Sequence, residues 1–285
     1  MKKIAILLTV HNRKQTTLSC LTALFNCALP EDYAIKVYLV DDGCTDGTSK
    51  ALEVIFPQVK IIQGNGNLYW NRGMILAWQT AIEEDQSDFY FWLNDDTILY
   101  AKAILTILAD SLLKNHQSII CGVCESSDKA MISYGGHLLI DKKKRLHPTG
   151  LPVECDFFNG NVVLIPHSVF LQVGFLDSIF QHSIGDNDYG LRAKREGIKS
   201  YISSQIIGMC DRRMKLPIWC NSDYKLKERI RDFKSPLTKK PRELYIYEKR
   251  HFGFFAALFR VCKVYAKLFL PSLRTMFGRV HIELE

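Results

Sequence analysis

The sequence predicts an α/β fold in which a mostly parallel central sheet is flanked by helices, with a helical extension at the C-terminal end. Three observations predict it. Short apolar runs rich in strand-forming residues alternate with segments of helical spacing through the first part of the chain. Polar and acidic residues gather where those runs stop. The 285 residues, 47% hydrophobic and 24% charged, suffice to bury one large core or two modest ones.

The first strand is expected over residues 4–9. MKKIAILLTV opens like a secretory leader, but its apolar run stops at His11-Asn12-Arg13-Lys14 without a small-residue cleavage site, so a buried strand explains it better. A helix follows near 15–27. The second strand, 35–40, ends in Asp41-Asp42; Gly43 then suits a tight turn, and Thr45 or Asp46 a cap for a helix near 45–56. The third, 59–62, enters the loop Gly64 to Asn67 ahead of a helix near 72–84. The fourth, 89–93, drives an aromatic run into Asn94, Asp95 and Asp96, and a helix near 101–114 leads to a fifth strand at 119–123. Ligands of such sheets bind beyond the carboxyl ends of the strands. With Thr9, His11, Asn12 and Arg13 after the first strand, four polar strand ends converge on one rim. No repeat, low-complexity linker or Gly/Ser-rich hinge divides the chain, which reads as one continuous domain with a helical extension.

Two adjacent carboxylates at the end of a buried strand cost free energy unless a cation or hydrogen-bond donors offset them. Magnesium or manganese takes one or two carboxylates and completes its shell with substrate phosphates and water. A solvated turn is the plainer account of either Asp pair alone. It does not account for two acidic strand ends beside Thr9-Val10-His11-Asn12-Arg13 on the same rim.

Nine scattered cysteines, with Cys121 and Cys124 as the one C-x-x-C pair, read as reduced and mostly buried thiols. The net charge of +7 is uneven: residues 210–285 hold 18 Lys and Arg against 8 Asp and Glu, a balance of +10, which leaves −3 for residues 1–209. The basic surface therefore belongs to the tail. Nucleic-acid motifs are missing, so no nucleic-acid partner is expected, and an anionic membrane surface suits the tail better.

The ordered motifs TVHNR (9–13), DDGCTDG (41–47), GNGNLYWNRGM (64–74), Asn94-Asp95-Asp96, CDFFNGNVVLIPHSVFLQVGFLD (155–177) and GDNDYGLRAKREG (185–197) resemble the family-two glycosyltransferases of the GT-A fold, especially bacterial rhamnosyltransferase-like enzymes. The likeness covers roughly residues 4–207. It implies a catalytic domain over 1–209, with a donor-binding part at 1–100 and an acceptor-side part at 101–209, followed by the basic helical extension at 210–285. It also implies that Asp42 recognises a uracil or thymine base, that Asp96 binds Mg2+ or Mn2+, and that Asp95 lies nearer the ribose. Thr9, Asn12, Arg13, Asn67 and Gly73 complete the implied nucleotide-sugar site. Asp186 takes the position of the base, Asp188 that of a structural acid beside it, and Asn159, Gly160 and Asn161 join them on the acceptor side. The usual Glu ahead of the base is Gly185 here. A downstream His often adds a metal contact in relatives; this chain has Cys210 and Asp211 there, and either is open as its substitute.

The implied function is an inverting, metal-dependent transfer of a hexosyl or deoxyhexosyl group from a UDP- or dTDP-sugar, dTDP-rhamnose among the candidates. The acceptor is a hydroxyl of a glycan or lipid-linked glycan in cell-surface polysaccharide synthesis. A carboxylate at Asp42 accepts the N3 proton of either pyrimidine, so both nucleotides stay open. A non-catalytic nucleotide-sugar or glycan-binding protein of the same fold is the alternative. A nicotinamide enzyme would want Gly-x-Gly-x-x-Gly directly after the first strand, where this chain has no glycine. The aromatics Tyr69, Trp70, Phe157 and Phe158 are candidates for stacking on sugars, with core packing the commoner fate of such residues.

In the tail, residues 251–279, Arg260, Lys263, Lys267 and Arg274 fall on one helical stripe, and Phe254, Phe255, Leu258, Phe259, Val261, Tyr265, Leu268 and Phe269 fill most of the rest. Pro271 should end or kink this helix. No stretch reaches the roughly 20 unbroken apolar residues of a spanning helix. The expected location is therefore cytoplasmic and peripheral at the inner face of the cell membrane. A subunit interface, and hence a homo-oligomer, is the competing use of the tail.

Overall fold

The structure is a computed structural model and describes residues 1–142, 144–212, 216–238 and 240–274. Its first part follows the predicted alternation: β1 (Lys2–Val10), α1 (Lys14–Phe25), β2 (Tyr33–Asp41), α2 (Thr48–Ile55), β3 (Lys60–Gln63), α3 (Tyr69–Glu84), β4 (Phe89–Leu93), β5 (Ile98–Leu99), α4 (Ala103–Leu113) and β6 (Ile119–Glu125). Short strands follow, β7 (Ile132–Tyr134), β8 (Gly136–His137), β9 (Val153–Cys155) and β10 (Phe157–Phe158), then β11 (Val162–Pro166), α5 (His167–Val173), α6 (Gly185–Arg195) and β12 (Ser200–Met209). The extension holds α7 (Leu226–Phe233), α8 (Pro241–Phe252) and α9 (Phe254–Phe269), with 3-10 turns at Ile218–Cys220 and Pro271–Arg274.

The main sheet runs β3-β2-β1-β4-β11-β6-β12-β5. β1 pairs in parallel with β2 and β4, and β6 with β12, whereas β11 runs antiparallel between β4 and β6. Parallel neighbours require crossover helices, which cover the sheet and bury both of its faces. That is why β1 and β4 read as unbroken apolar runs. Alternate side chains still part company across the sheet: Ile4, Ile6 and Leu8 pack with Leu21 of α1 and Ile107 of α4, while Ala5 and Leu7 pack with Met74 and Trp78 of α3. The same period separates Cys121 from Cys124, one in each core, so this pair cannot share a metal ion. None of the nine cysteines forms a disulfide, and six of them are buried.

Two helix starts differ from the sequence reading because tertiary contacts set them. α3 begins at Tyr69, not near 72, because Asp42 Oδ2 accepts the N–H groups of Leu68 and Tyr69, each at 2.9 Å. A carboxylate from the end of β2 thus caps a helix 26 residues away. α2 begins at Thr48, whose N–H and hydroxyl both bond to Asp46 Oδ1. The tail is two helices, broken at Gly253, whose φ of 91° favours glycine. α9 stops at Phe269, before Pro271; Arg274 falls in the turn beyond it, and residues 275–279 of the expected segment lie outside the described residues.

The extension is packed on the body. Arg250 Nη1 and His251 Nε2 of α8 lie 2.7 and 2.8 Å from Asp188 Oδ1, and Arg250 Nη2 lies 2.6 Å from Asp177. Nearer the start of α8, Lys240 Nζ donates to Gln181 Oε1 at 2.5 Å, and Gln181 Nε2 donates to the carbonyl of Asn67 at 3.0 Å.

Candidate active site

The strand ends open into a cleft of about 430 Å³. Thr9, Arg13, Asp42, Asp95, Asp96, Asn159, Gly160, Asn161 and Asp186 all line it. Of the residues expected at the nucleotide sugar, Asn12, Asn67 and Gly73 do not. Asn12, at φ 51°, turns its Oδ1 to the Thr45 N–H at 2.7 Å and so fastens the first loop to the second. Asn67 contributes a carbonyl to Gln181. Gly73 is a packing glycine: a Cβ there would lie 2.3 Å from Thr9 Oγ1, so it lets α3 approach the end of β1. Asp188, assigned to the acceptor side, is fully buried behind the cleft wall and paired with Arg192, Arg250 and His251.

The two Asp pairs divide their labour. Asp41 serves the turn, accepting the Cys44 N–H at 2.6 Å and the Ser49 hydroxyl. Asp42 faces the cleft, where besides capping α3 it accepts the Gly66 N–H on Oδ1 at 2.8 Å. At the end of β4, Arg13 reaches both carboxylates, with Nη1 3.1 Å from Asp95 Oδ1 and Nη2 2.6 Å from Asp96 Oδ2. Burial pushes the Asp95 carboxyl up to about 7; Arg13 opposes the shift and the neighbouring Asp96 adds to it. Cys210 donates its thiol to Asp96 Oδ1 at 3.4 Å, and burial together with the Asp96 charge pushes that thiol far up, so it is a protonated donor. Asp211 lines the cleft and accepts the Ser127 N–H at 2.8 Å.

On the side expected for the acceptor, Asp186 sits in the first turn of α6, where a helix N-terminus favours negative charge. Its Oδ2 accepts the Gly160 N–H at 2.8 Å and its Oδ1 the Asn187 N–H at 2.7 Å. Asn161 fastens the same turn to β4, its carbonyl accepting the Asn94 N–H at 2.9 Å. Trp70 donates its indole N–H to Asn94 Oδ1 at 2.6 Å and lies against Gly160. Of the four candidate stacking aromatics, Tyr69 and Trp70 line the cleft, whereas Phe157 and Phe158 are buried in packing. Tyr69 and Ile184, at φ 58° and 78°, hold backbone conformations that are costly for an aromatic and a β-branched residue, and both border the cleft.

Sequence reading did not place Tyr134, Ser183, Ile184, Ser235 or Leu237 in the wall. Ile184 is signalled only by its place before the GDND motif. Ser235 and Leu237 lie in the extension, far from any motif.

Five Asp side chains and one Arg line the cleft among the described residues. A diphosphate entering such a wall needs a cation. No three His, Cys, Asp or Glu side chains gather into a metal shell among the described residues. A hard ion of the magnesium class needs only one or two carboxylates when phosphates and water supply the rest, so Asp96 beside Asp95 fits the minimum donor set.

The model of the family described as glycosyl transferase family 2 matches residues 5–170. No curated protein sequence matches the chain. Among solved structures, the chain is similar to the crystal structure of S. aureus TarS, with a TM-score of 0.58 at 12% identity over 100% of this chain and 46% of that one. TarS 1–349 gives 0.57 at 12% identity, covering 100% and 76%, and its complex with UDP gives 0.56 at 11%, covering 99% and 74%. At such identities the likeness is one of fold. The chain spans less than half of the longest of these structures, at 46%.

Proposed function

The chain belongs to glycosyl transferase family 2, and from that premise we propose that it is an inverting transferase acting on a UDP- or dTDP-sugar, with a hydroxyl of a glycan or lipid-linked glycan as acceptor. The observation that carries this reading is the bond between Gly160 N–H and Asp186 Oδ2. It fixes a carboxylate in the same cleft as Asp42, Asp95 and Asp96.

In the mechanism, Asp42 receives the pyrimidine. Its Oδ1 takes one backbone N–H, which leaves acceptor capacity for the N3 proton. Asp96 would hold a divalent ion, Mg2+ or Mn2+, with Asp95 behind it. When bound, such an ion stabilises the negative charge that grows on the leaving diphosphate. Arg13, already bridging both carboxylates, offsets their mutual repulsion and orients them before donor arrives. Tyr69 and Trp70 offer ring faces to the sugar. The sugar carbon takes on oxocarbenium character as the donor bond lengthens, and Asp186 accepts the proton of the attacking hydroxyl on the opposite face, so the anomeric configuration inverts.

An Asp is a weak base, with an ordinary pKa of about 3.9, and acts late in the transfer through placement. The Gly160 N–H and the helix N-terminus supply that placement, and Asp188, locked by Arg192, Arg250 and His251, holds the turn that carries it. The UDP bound in a TarS structure supports a uridine nucleotide as one of the two donor classes.

Calorimetric titration with UDP and with dTDP, with and without manganese, tests the donor half. Micromolar binding of either that weakens on chelation supports the reading. No binding of any pyrimidine diphosphate with manganese present overturns it.

A further inference from the structure

The outer face of α9 is apolar and partly aromatic. Phe254, Phe255, Leu258, Phe259, Tyr265 and Phe269 are all exposed, Phe255 to 83% and Phe259 to 68%. At 3.6 residues per turn these six lie within an arc of about 140°. Arg260, Lys263 and Lys267 lie in the adjoining arc, on one flank. The remaining arc faces the protein: Ala257 and Leu268 are buried, Val264 packs on the cluster of Phe180, Ile184 and Leu244, and Arg229 Nη1 donates to the Leu268 carbonyl at 2.8 Å. The helix is therefore docked by its narrow face, and its aromatic face is turned outward, the reverse of what burial would select in an isolated domain.

We infer that this face of α9 is a docking surface for an anionic phospholipid bilayer, lying in the headgroup layer with its aromatics inward and its basic flank among the phosphates. Two observations select that occupant. The segment 210–285 carries a balance of +10, which is complementary to anionic lipid and repels a second copy of itself. An aromatic face with a basic flank is the pattern of a helix that lies in the headgroup layer, and among the described residues no helix is long and apolar enough to cross a membrane. Arg260 on this flank is tied to Glu248 at 3.2 Å.

The surface stands one layer from the active site. Val264 packs on the cluster of Phe180, Ile184 and Leu244, and Ile184 borders the cleft two residues before Asp186. A bilayer at α9 would bring a lipid-linked acceptor to that side of the cleft; this consequence alone rests on the transferase reading.

The test uses the full chain without substrate, so its failure leaves the transferase reading untouched. Vesicles of phosphatidylglycerol and phosphatidylcholine, and vesicles of phosphatidylcholine alone, are sedimented with the wild type, with Phe255→Asp/Phe259→Asp and with Lys263→Glu/Lys267→Glu. All four positions are on the outer or flanking face, and an unchanged thermal midpoint confirms folding. The expected result is sedimentation with the anionic vesicles, weakened by 0.5 M salt as a rough upper setting, with about tenfold or greater loss for the aromatic pair and a smaller loss for the lysine pair. Sedimentation of the aromatic variant equal to wild type overturns the proposal, as does a wild type that ignores anionic vesicles. So does a dimer in light scattering that the same Phe substitutions dissolve, which would assign the face to a second copy.

Discussion

Gly160 donates its backbone N–H to Asp186 Oδ2 at 2.8 Å, tying the turn between β10 and β11 to the first turn of α6. The glycine is required by space: a Cβ would lie 2.6 Å from Trp70 Cη2 and 3.2 Å from Asp186 Cβ. Trp70 is itself anchored to Asn94, so neither neighbour can give way without moving a wall of the cleft. The position of the proposed base is thus set by a residue that contributes no side chain.

Gly160→Ala is accordingly expected to lower kcat by about 100-fold, because displacement of reacting groups by about 1 Å costs that much. Pyrimidine nucleotide affinity should change little, since Asp42 is on another loop. Parallel turnover assays and calorimetry check both halves, and an unaltered kcat would show that the bond does not position the base.

Asp186→Asn retains the shape and the Gly160 bond but cannot take a proton. Turnover should fall by about 10²- to 10⁴-fold while donor affinity holds. If affinity collapses instead, Asp186 belongs to the donor site.

Asp96→Ala should abolish the manganese dependence of nucleotide binding without unfolding the protein, since a rim carboxylate leaves no core cavity. The check is calorimetry at a manganese series, with circular dichroism as the fold control. Manganese-enhanced binding of wild-type strength in the folded variant contradicts the metal role.

Asp188 supports a prediction in pH. Burial pushes its carboxyl upward, but the His251 hydrogen bond and the charges of Arg192 and Arg250 outweigh it and hold it below the ordinary carboxylate range. A group depressed in the folded state stabilises the fold fully above its unfolded pKa of about 3.9, and that stabilisation is lost as pH falls through the folded pKa. Asp188→Asn should therefore cost about 3–5 kcal/mol at pH 7, the cost of breaking a buried pair, and the gap to wild type should narrow below about pH 4. Denaturant melts at both pH values read it; a gap that stays constant rules out the ionised pair as its source.

The parallel half of the fold was legible because strands buried on both faces give continuous apolar runs, as at Phe89–Leu93, and their crossover helices keep a 3.6-residue period. The strand-end acids were legible for the same reason: a charge that interrupts a buried run is conspicuous. What sequence could not reveal was held by distant partners. The Asp42 cap on α3 spans 26 residues, and the Asp188–Arg250 pair spans 62. β7 to β10 are two or three residues each, too short for periodicity, and they exist through antiparallel register with β6, β12 and each other. The tail showed its amphipathic composition but not which face packs inward, because apolar residues occupy both the inner arc, at Ala257 and Leu268, and the outer arc, at Phe255 and Phe259.

The most direct measurement of the central claim is release of UDP or dTDP from a panel of the corresponding nucleotide sugars, by wild type and Asp186→Asn side by side with manganese present. The account predicts that wild type turns over at least one donor, that chelation stops it, and that Asp186→Asn binds the same nucleotide yet falls at least about 100-fold in rate. Equal turnover by the two proteins, or nucleotide binding without turnover of any donor by wild type in the presence of glycan and lipid-linked acceptors, would contradict it.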